Sequence, residues 1–197
     1  MQTIVSISGT SRPNNFTSRA LGVVNAELES LGRKVEYFDG RELDLSFPGV
    51  APTQDSLRLK EAVEKSSGVV LATPEYHGSY AALTKLILEN MGFPSVLSGK
   101  PIALVGVAAG RIGAIKSLEH LRGTCAHMGA IVLPGATSIA GVQAAFDDEG
   151  NCTDENADAS LRRIAGSLTT FINDFVCPKY VMEAMVRDTG ETWTTSV

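Results

Sequence analysis

Two near-continuous apolar runs, Gly68–Thr73 (GVVLAT) and Pro101–Ala108 (PIALVGVA), constrain the fold of this chain more than any other feature. A strand with one wet face alternates apolar and polar residues. An unbroken apolar run is buried on both faces, as in a parallel sheet covered by helices on each side. Thr3–Ser8 and Val35–Phe38 read as two earlier strands, and Ala130–Leu133 as a weaker fifth.

Between these runs the period lengthens to that of a helix. Leu21, Val24, Leu28 and Leu31 recur at intervals of three and four before Gly32, which stands where a helix C-cap glycine would. Leu83, Leu86 and Ile87 form a second stripe, and Ile115, Leu118, Leu121 and Cys125 a third. A final helix over roughly 155–176 places Leu161, Ile164, Leu168 and Ile172 on one side. The stretch from Asp39 to Gln54 contains Pro48, Gly49 and Pro52 and reads as a loop. The alternation of strand and helix implies right-handed crossovers. It predicts a flavodoxin-like, doubly wound α/β domain with a five-stranded parallel sheet, strand order 2-1-3-4-5, and helices on both faces. Residues 1–177 are expected to form that domain. After Cys177-Pro178 the rhythm is lost, so 178–197 reads as a C-terminal tail that packs on a partner subunit or stays mobile.

Charge and composition narrow the partners. A net charge of −5 with no block of like charges gives no basic face for nucleic acid or for an anionic membrane. No apolar run approaches the ~20 residues of a membrane span. The opening residues Met1 to Val5 lack the charged and long apolar regions of a signal peptide. Cys125, Cys152 and Cys177 are odd in number and form no CxxC pair, so they read as free thiols in a reducing compartment, with the cytoplasm expected.

In an open α/β sheet, ligands lie beyond the carboxyl ends of the strands where the strand order reverses. Strands 1, 3 and 4 of the expected order are neighbours there, and the three loops that follow them have unusual compositions. The first, Ser8-Gly9-Thr10-Ser11-Arg12-Pro13-Asn14-Asn15-Phe16-Thr17-Ser18, is dense in hydroxyls and amides, carries one guanidinium and leads into a helix. A helix N-terminus with unpaired N–H groups and one arginine suits a single phosphate monoester. The lysine-bearing triphosphate loop and the dinucleotide GxGxxG pattern are both missing. A polar loop that only caps a helix is the alternative.

The second loop is Thr73-Pro74-Glu75-Tyr76-His77-Gly78-Ser79. It can offer backbone groups to the edge of a flat heterocycle, with Tyr76 or His77 for packing; alone, it equally fits a strand-to-helix turn with Ser79 as N-cap. The third, Ala108-Ala109-Gly110-Arg111-Ile112-Gly113, is small enough for a planar ring or a second nucleotide to approach its backbone.

These segments carry a resemblance. SGTSRPNNFTSRAL (8–21), TPEYHGSYAALTKLILEN (73–90) and GKPIALVGVAAGRIGAIKSLEHLR (99–122) resemble the NADPH-dependent FMN reductase family of quinone, azo-dye and chromate reductases. The likeness extends over about residues 3–176 through MGAIVLP and AAFDDEG. It implies FMN as cofactor and NADPH or NADH as co-substrate. Thr10, Arg12, Asn15, Phe16 and Thr17 would form the phosphate loop, and Pro74, Glu75, Tyr76, His77 and Gly78 would line the isoalloxazine, largely through backbone. Ala109, Gly110 and Arg111 would close the opposite edge. Two positions depart from the family pattern: His77 stands where asparagine is frequent, and Phe16 where residues are often small and polar. The resemblance also implies a homodimer or homotetramer joined through the third and fourth helices.

The chemistry is expected to rest on the cofactor, with no catalytic side chain and no metal. His120 and His127 have no carboxylate or cysteine to complete a zinc set. Ser79 lacks a nucleophile-elbow context, and Asp147, Asp148 and Glu149 lack the spacing of a calcium loop. The rival readings are a flavodoxin-like electron carrier and a non-catalytic regulatory binding protein.

Overall fold

The computed structural model describes residues 2–189. In chain order the elements are β1 (Thr3–Ser8), α1 (Phe16–Ser30), β2 (Lys34–Asp39), α2 (Gln54–Lys65), β3 (Gly68–Tyr76) and β4 (Ser79–Tyr80). There follow α3 (Ala82–Glu89), β5 (Pro101–Val107), α4 (Ile115–His127), β6 (Ile131–Val132), β7 (Thr137–Ile139), α5 (Glu155–Phe171) and α6 (Cys177–Thr189). The sheet runs β2-β1-β3-β5-β6, with every pair on that path parallel. This is the expected doubly wound order, because β5 and β6 are the fourth and fifth strands anticipated from sequence.

The apolar runs are buried on both sides, and their residues divide by parity. Ile4, Val70, Ala72, Ala103 and Val105 pack with Leu21, Val24 and Leu28 of α1 and with Leu161, Ile164 and Leu168 of α5. Val5, Ile7, Val69, Leu71, Ile102 and Leu104 face the other way, onto Leu59 and Val63 of α2, Ile87 of α3 and Leu121 and Cys125 of α4. Each fully buried Leu or Ile contributes roughly 1.5–3 kcal/mol to this two-sided core. Two members of the expected stripes lie outside it. Leu31 is the C-cap of α1, and Ile115 is the first residue of α4; both are exposed. Gly32 follows with φ +76°, the left-handed turn that ends the helix.

Three details depart from the sequence expectation. β3 continues past Thr73 to Tyr76 and turns back as the short antiparallel β4. The fifth strand is interrupted: β6 pairs with Pro101 and Ile102, whereas β7 pairs with Val105–Val107 further along the same edge. Pro134, which has no N–H for the ladder, and Gly135, at φ +74°, lie in the gap. Finally, the chain does not lose regular structure at Pro178. The last turn of α5 widens into a π-turn over Ile172–Val176 and runs on as α6, where Tyr180, Val181 and Met182 are exposed. Residues 190–197 of the expected tail lie outside the described residues.

Candidate functional site

At the carboxyl end of β1 the chain is held close to β3 before it enters α1. The Gly9 N–H donates to the Ala72 carbonyl at 2.8 Å. A Cβ on Gly9 would stand 2.2 Å from Thr84 Oγ1 and 2.8 Å from the Ala72 carbonyl oxygen, so no larger residue fits. Thr10 is fully buried, and its hydroxyl accepts the Arg12 N–H at 3.3 Å. Asn14 is left-handed (φ 48°) and aims the chain into the helix.

Asn15 then caps α1. Its Oδ1 accepts from Ser18 N at 2.7 Å, while its Nδ2 donates to the Arg12 carbonyl at 2.9 Å. That cap satisfies Ser18 and leaves the first-turn amides of Phe16 and Thr17 without a protein acceptor among the described residues. The first turn of α1 has no acidic residue to offset its partial positive charge. The Phe16 ring packs at the edge of the core, 6.1 Å from the Phe146 ring and under the Arg19 guanidinium. Below the helix start, Ser8 Oγ lies 2.9 Å from Ser18 Oγ, and the Tyr37 hydroxyl donates to Ser18 Oγ at 3.2 Å. Burial is the main cause that raises the Tyr37 phenol above its ordinary pKa.

The second loop is a β-hairpin. Glu75 pairs with Tyr80 and Tyr76 with Ser79 across a two-residue turn, His77-Gly78, whose φ values are 51° and 73°. Two left-handed residues match the right-handed twist of the flanking strands, which is why glycine follows histidine here. Ser79 is therefore a strand residue and not a helix N-cap; Ala81 precedes α3 without a side-chain cap. Ser79 Oγ lies 3.2 Å from His120 Nδ1, and Tyr80 Oη 3.1 Å from Thr124 Oγ1, which seats the hairpin on α4. Glu75 Oε2 accepts from Ser117 N at 3.1 Å. It caps a helix whose own N-cap position, Ala114, has no side chain for the task. His77 is exposed.

The third loop is pinned at both ends and open in the middle. Ala108 N donates to the Ile139 carbonyl at 2.9 Å, Gly141 N to the Gly110 carbonyl at 3.2 Å, and Ala114 N to Ser138 Oγ at 2.8 Å. Ala109, Gly110, Arg111 and Ile112 are exposed.

The three loops share one end of the sheet, and two of them meet. The Arg12 guanidinium lies over the Tyr76 ring, 4.8 Å from its centroid. Through Arg12 the loop that opens α1 therefore reaches the hairpin at Tyr76. The loop at 109–111 follows the neighbouring strand β5 and leads into the helix that Glu75 caps. Sequence reasoning missed Thr73, Thr84, Ser138 and the capping role of Glu75. For the two threonines there was a signal, a hydroxyl on an otherwise apolar face. His120 and His127 are both exposed on α4, and among the described residues no group of three or more His, Cys, Asp or Glu side chains is placed to hold a metal ion.

Fold and site together define a doubly wound α/β protein of the flavodoxin-like class, with an anion-ready helix start beside a flat hairpin platform. The chain belongs to the NADPH-dependent FMN reductase family, whose model matches residues 2–144. It is an oxidoreductase that works with FMN and NAD(P)H. An NAD(P)H-dependent FMN reductase of Pseudomonas aeruginosa is 31% identical over 162 residues, 78% of this chain and 86% of the relative. The NADH:(hydroxy)cinnamate reductase subunit CrdA of Vibrio ruber is 31% identical over 122 residues, and the match covers 60% of either protein. Among solved structures, the flavoenzyme NAD(P)H:(acceptor) oxidoreductase FerB of Paracoccus denitrificans superposes with a TM-score of 0.72. It is 24% identical, over 88% of this chain and 98% of that one.

Proposed function

We propose that the protein holds FMN across the ends of β1, β3 and β5 and passes reducing equivalents from NAD(P)H to a small acceptor. Quinones, free flavin, azo compounds and metal oxyanions are the acceptor classes. The observation that carries this reading is the joined mouth: free amides at the start of α1, one guanidinium, and the hairpin that the guanidinium covers. Those donors fit a phosphate monoester, with the amides of Phe16 and Thr17 and the charge of Arg12 supplying the complement of one dianion, while the buried side chains of Thr10 and Thr17 support the loop from beneath. The backbone of His77 and Gly78, at the tip of the turn, fits the edge of a planar ring.

FMN supplies the hydride chemistry when bound. The chain's own part is to bind and orient. Asn15 spends its side chain on the loop, so it organises the cradle and does not touch the anion with its amide. Glu75 likewise holds α4, so the hairpin meets the ring through main-chain groups. Amides at 77 and 78 oppose negative charge that develops on the ring, and they do so without reorganising. Ala109, Gly110 and Arg111 close the far edge, where small side chains leave room for a second ligand to stack.

The enzymatic reading is favoured over an electron carrier by the modest charge of −5, since a docking carrier gains from a strongly acidic face. Purified protein reconstituted with FMN should oxidise NADPH or NADH when a quinone is added, with no protein partner. Absence of turnover over an acceptor panel, with FMN bound, would favour the carrier.

The expected assembly is a homodimer or homotetramer through α3 and α4. A cleft of about 720 Å³ lies at their ends, lined by Leu88, Phe93, Pro94 and Met128, and Phe93 is fully exposed beside it. Light scattering on Phe93→Asp tests it, since a monomer is expected. Three free cysteines agree with a reducing, cytoplasmic address. No helix among the described residues is long and apolar enough to cross a membrane. On this reading the flavin-binding unit is residues 1–177, so removal of residues 178–197 should leave FMN binding intact.

A further inference from the structure

Thr84 is a fully buried hydroxyl on α3, a helix that contributes no residue to the three loops. Its Oγ1 donates to the Gly9 carbonyl at 2.8 Å and lies 2.9 Å from the buried Thr73 Oγ1. Thr73 Oγ1 also accepts the Ala81 N–H at 3.1 Å, at the point where the hairpin returns to α3. A single hydroxyl pair thus ties Gly9 of the phosphate loop to both legs of the hairpin. Gly9 is held from two sides, since its N–H is fixed on Ala72 of β3 and its carbonyl on Thr84. The hole left by the missing Cβ of Gly9 is filled by the Thr84 hydroxyl itself.

We propose that Thr84 is a positioning residue that sets the spacing between the phosphate loop and the ring platform. This rests on the FMN reading above and deepens it. A ligand that spans both loops must match that spacing, whereas a ligand that uses only one loop does not. Losing the Thr84 hydroxyl leaves the Gly9 carbonyl buried without its donor and frees the loop to shift against the hairpin. Arg12, which reaches from that loop onto Tyr76, moves with it.

The test compares Thr84→Val, which keeps the shape and removes the hydroxyl, with Thr84→Ser, which keeps the hydroxyl. Flavin fluorescence gives the dissociation constants of FMN, which has both ring and phosphate, and of riboflavin, which has only the ring. Thr84→Val is expected to weaken FMN roughly tenfold, with riboflavin changed by less than about twofold and with Thr84→Ser close to wild type. Equal losses for the two ligands, or an unchanged FMN constant, would overturn the proposal. If Thr84→Val does not fold, Thr73→Val cuts the same link one atom further on and is read by the same ratio. Wild-type protein that binds no FMN would instead overturn the functional reading itself.

Discussion

The Arg12 guanidinium lies over the Tyr76 ring, 4.8 Å from its centroid, and so joins the loop after β1 to the hairpin that ends β3. A guanidinium held over a ring face is attracted by the ring's quadrupole and keeps N–H donors for an anion. Arg12→Ala should therefore weaken FMN by about 1.5–3 kcal/mol, the range for a hydrogen bond to a charged group. Arg12→Lys should restore only part, because an ammonium keeps the charge without the planar fork. Titration of apoprotein with FMN measures both, and unchanged affinity in the alanine variant would place the phosphate elsewhere.

Glu75 caps α4 from outside the helix, so its loss should be felt in stability. Glu75→Ala is expected to cost about 0.5–2 kcal/mol, as for other lost N-caps, and to lower Tm by a few degrees. Glu75→Gln retains an oxygen that accepts from Ser117 N and should lose much less. Urea denaturation of the three proteins decides it; equal stabilities would show that the cap contributes nothing.

Gly9→Ala puts a methyl where Thr84 Oγ1 and the Ala72 carbonyl already lie, at 2.2 and 2.8 Å. Overpacking of that kind costs about 1–3 kcal/mol. Adding Thr84→Ala should relieve only part of the strain, since the Ala72 carbonyl belongs to the central strand and cannot move aside. Thermal unfolding of the single and double variants provides the comparison.

Cys125 is buried between α4 and the sheet, and burial pushes its thiol up from 9.0 to about 12. The thiol should resist iodoacetamide at pH 8 in native protein and react once urea unfolds it. The linkage has a definite sign. The raised pKa favours the neutral thiol in the fold, so its stabilising contribution is intact below pH 9 and declines as pH rises toward 12. Cys125→Ala should flatten that alkaline decline in a denaturation series.

On the proposed reading, NAD(P)H and the acceptor use the same face of the bound ring. NAD(P)H and the acceptor should therefore exclude each other, giving parallel double-reciprocal plots across NADPH concentrations. Intersecting lines would mean that both bind together, and would require a second site.

The sequence by itself determined the two-sided sheet, because an apolar run such as Gly68–Thr73 can be buried only between two helical layers. It also placed Thr10, Arg12 and Asn15 at a helix start, since strand, polar loop and apolar stripe follow in immediate succession. Where each side chain points was decided only in three dimensions. Glu75 reads like any ligand-facing carboxylate until the crossover brings the uncapped start of α4 within 3.1 Å of it. Thr84 reads as a polar interruption of a core stripe until Gly9, 75 positions away, presents its carbonyl. Ser79 looked like a helix cap, and became a strand residue because His77 and Gly78 both turn left-handed. Local pattern records which face of an element is apolar. Hydrogen bonds between loops depend on distances that no local pattern encodes, and they were set when the sheet brought β1, β3 and β5 side by side.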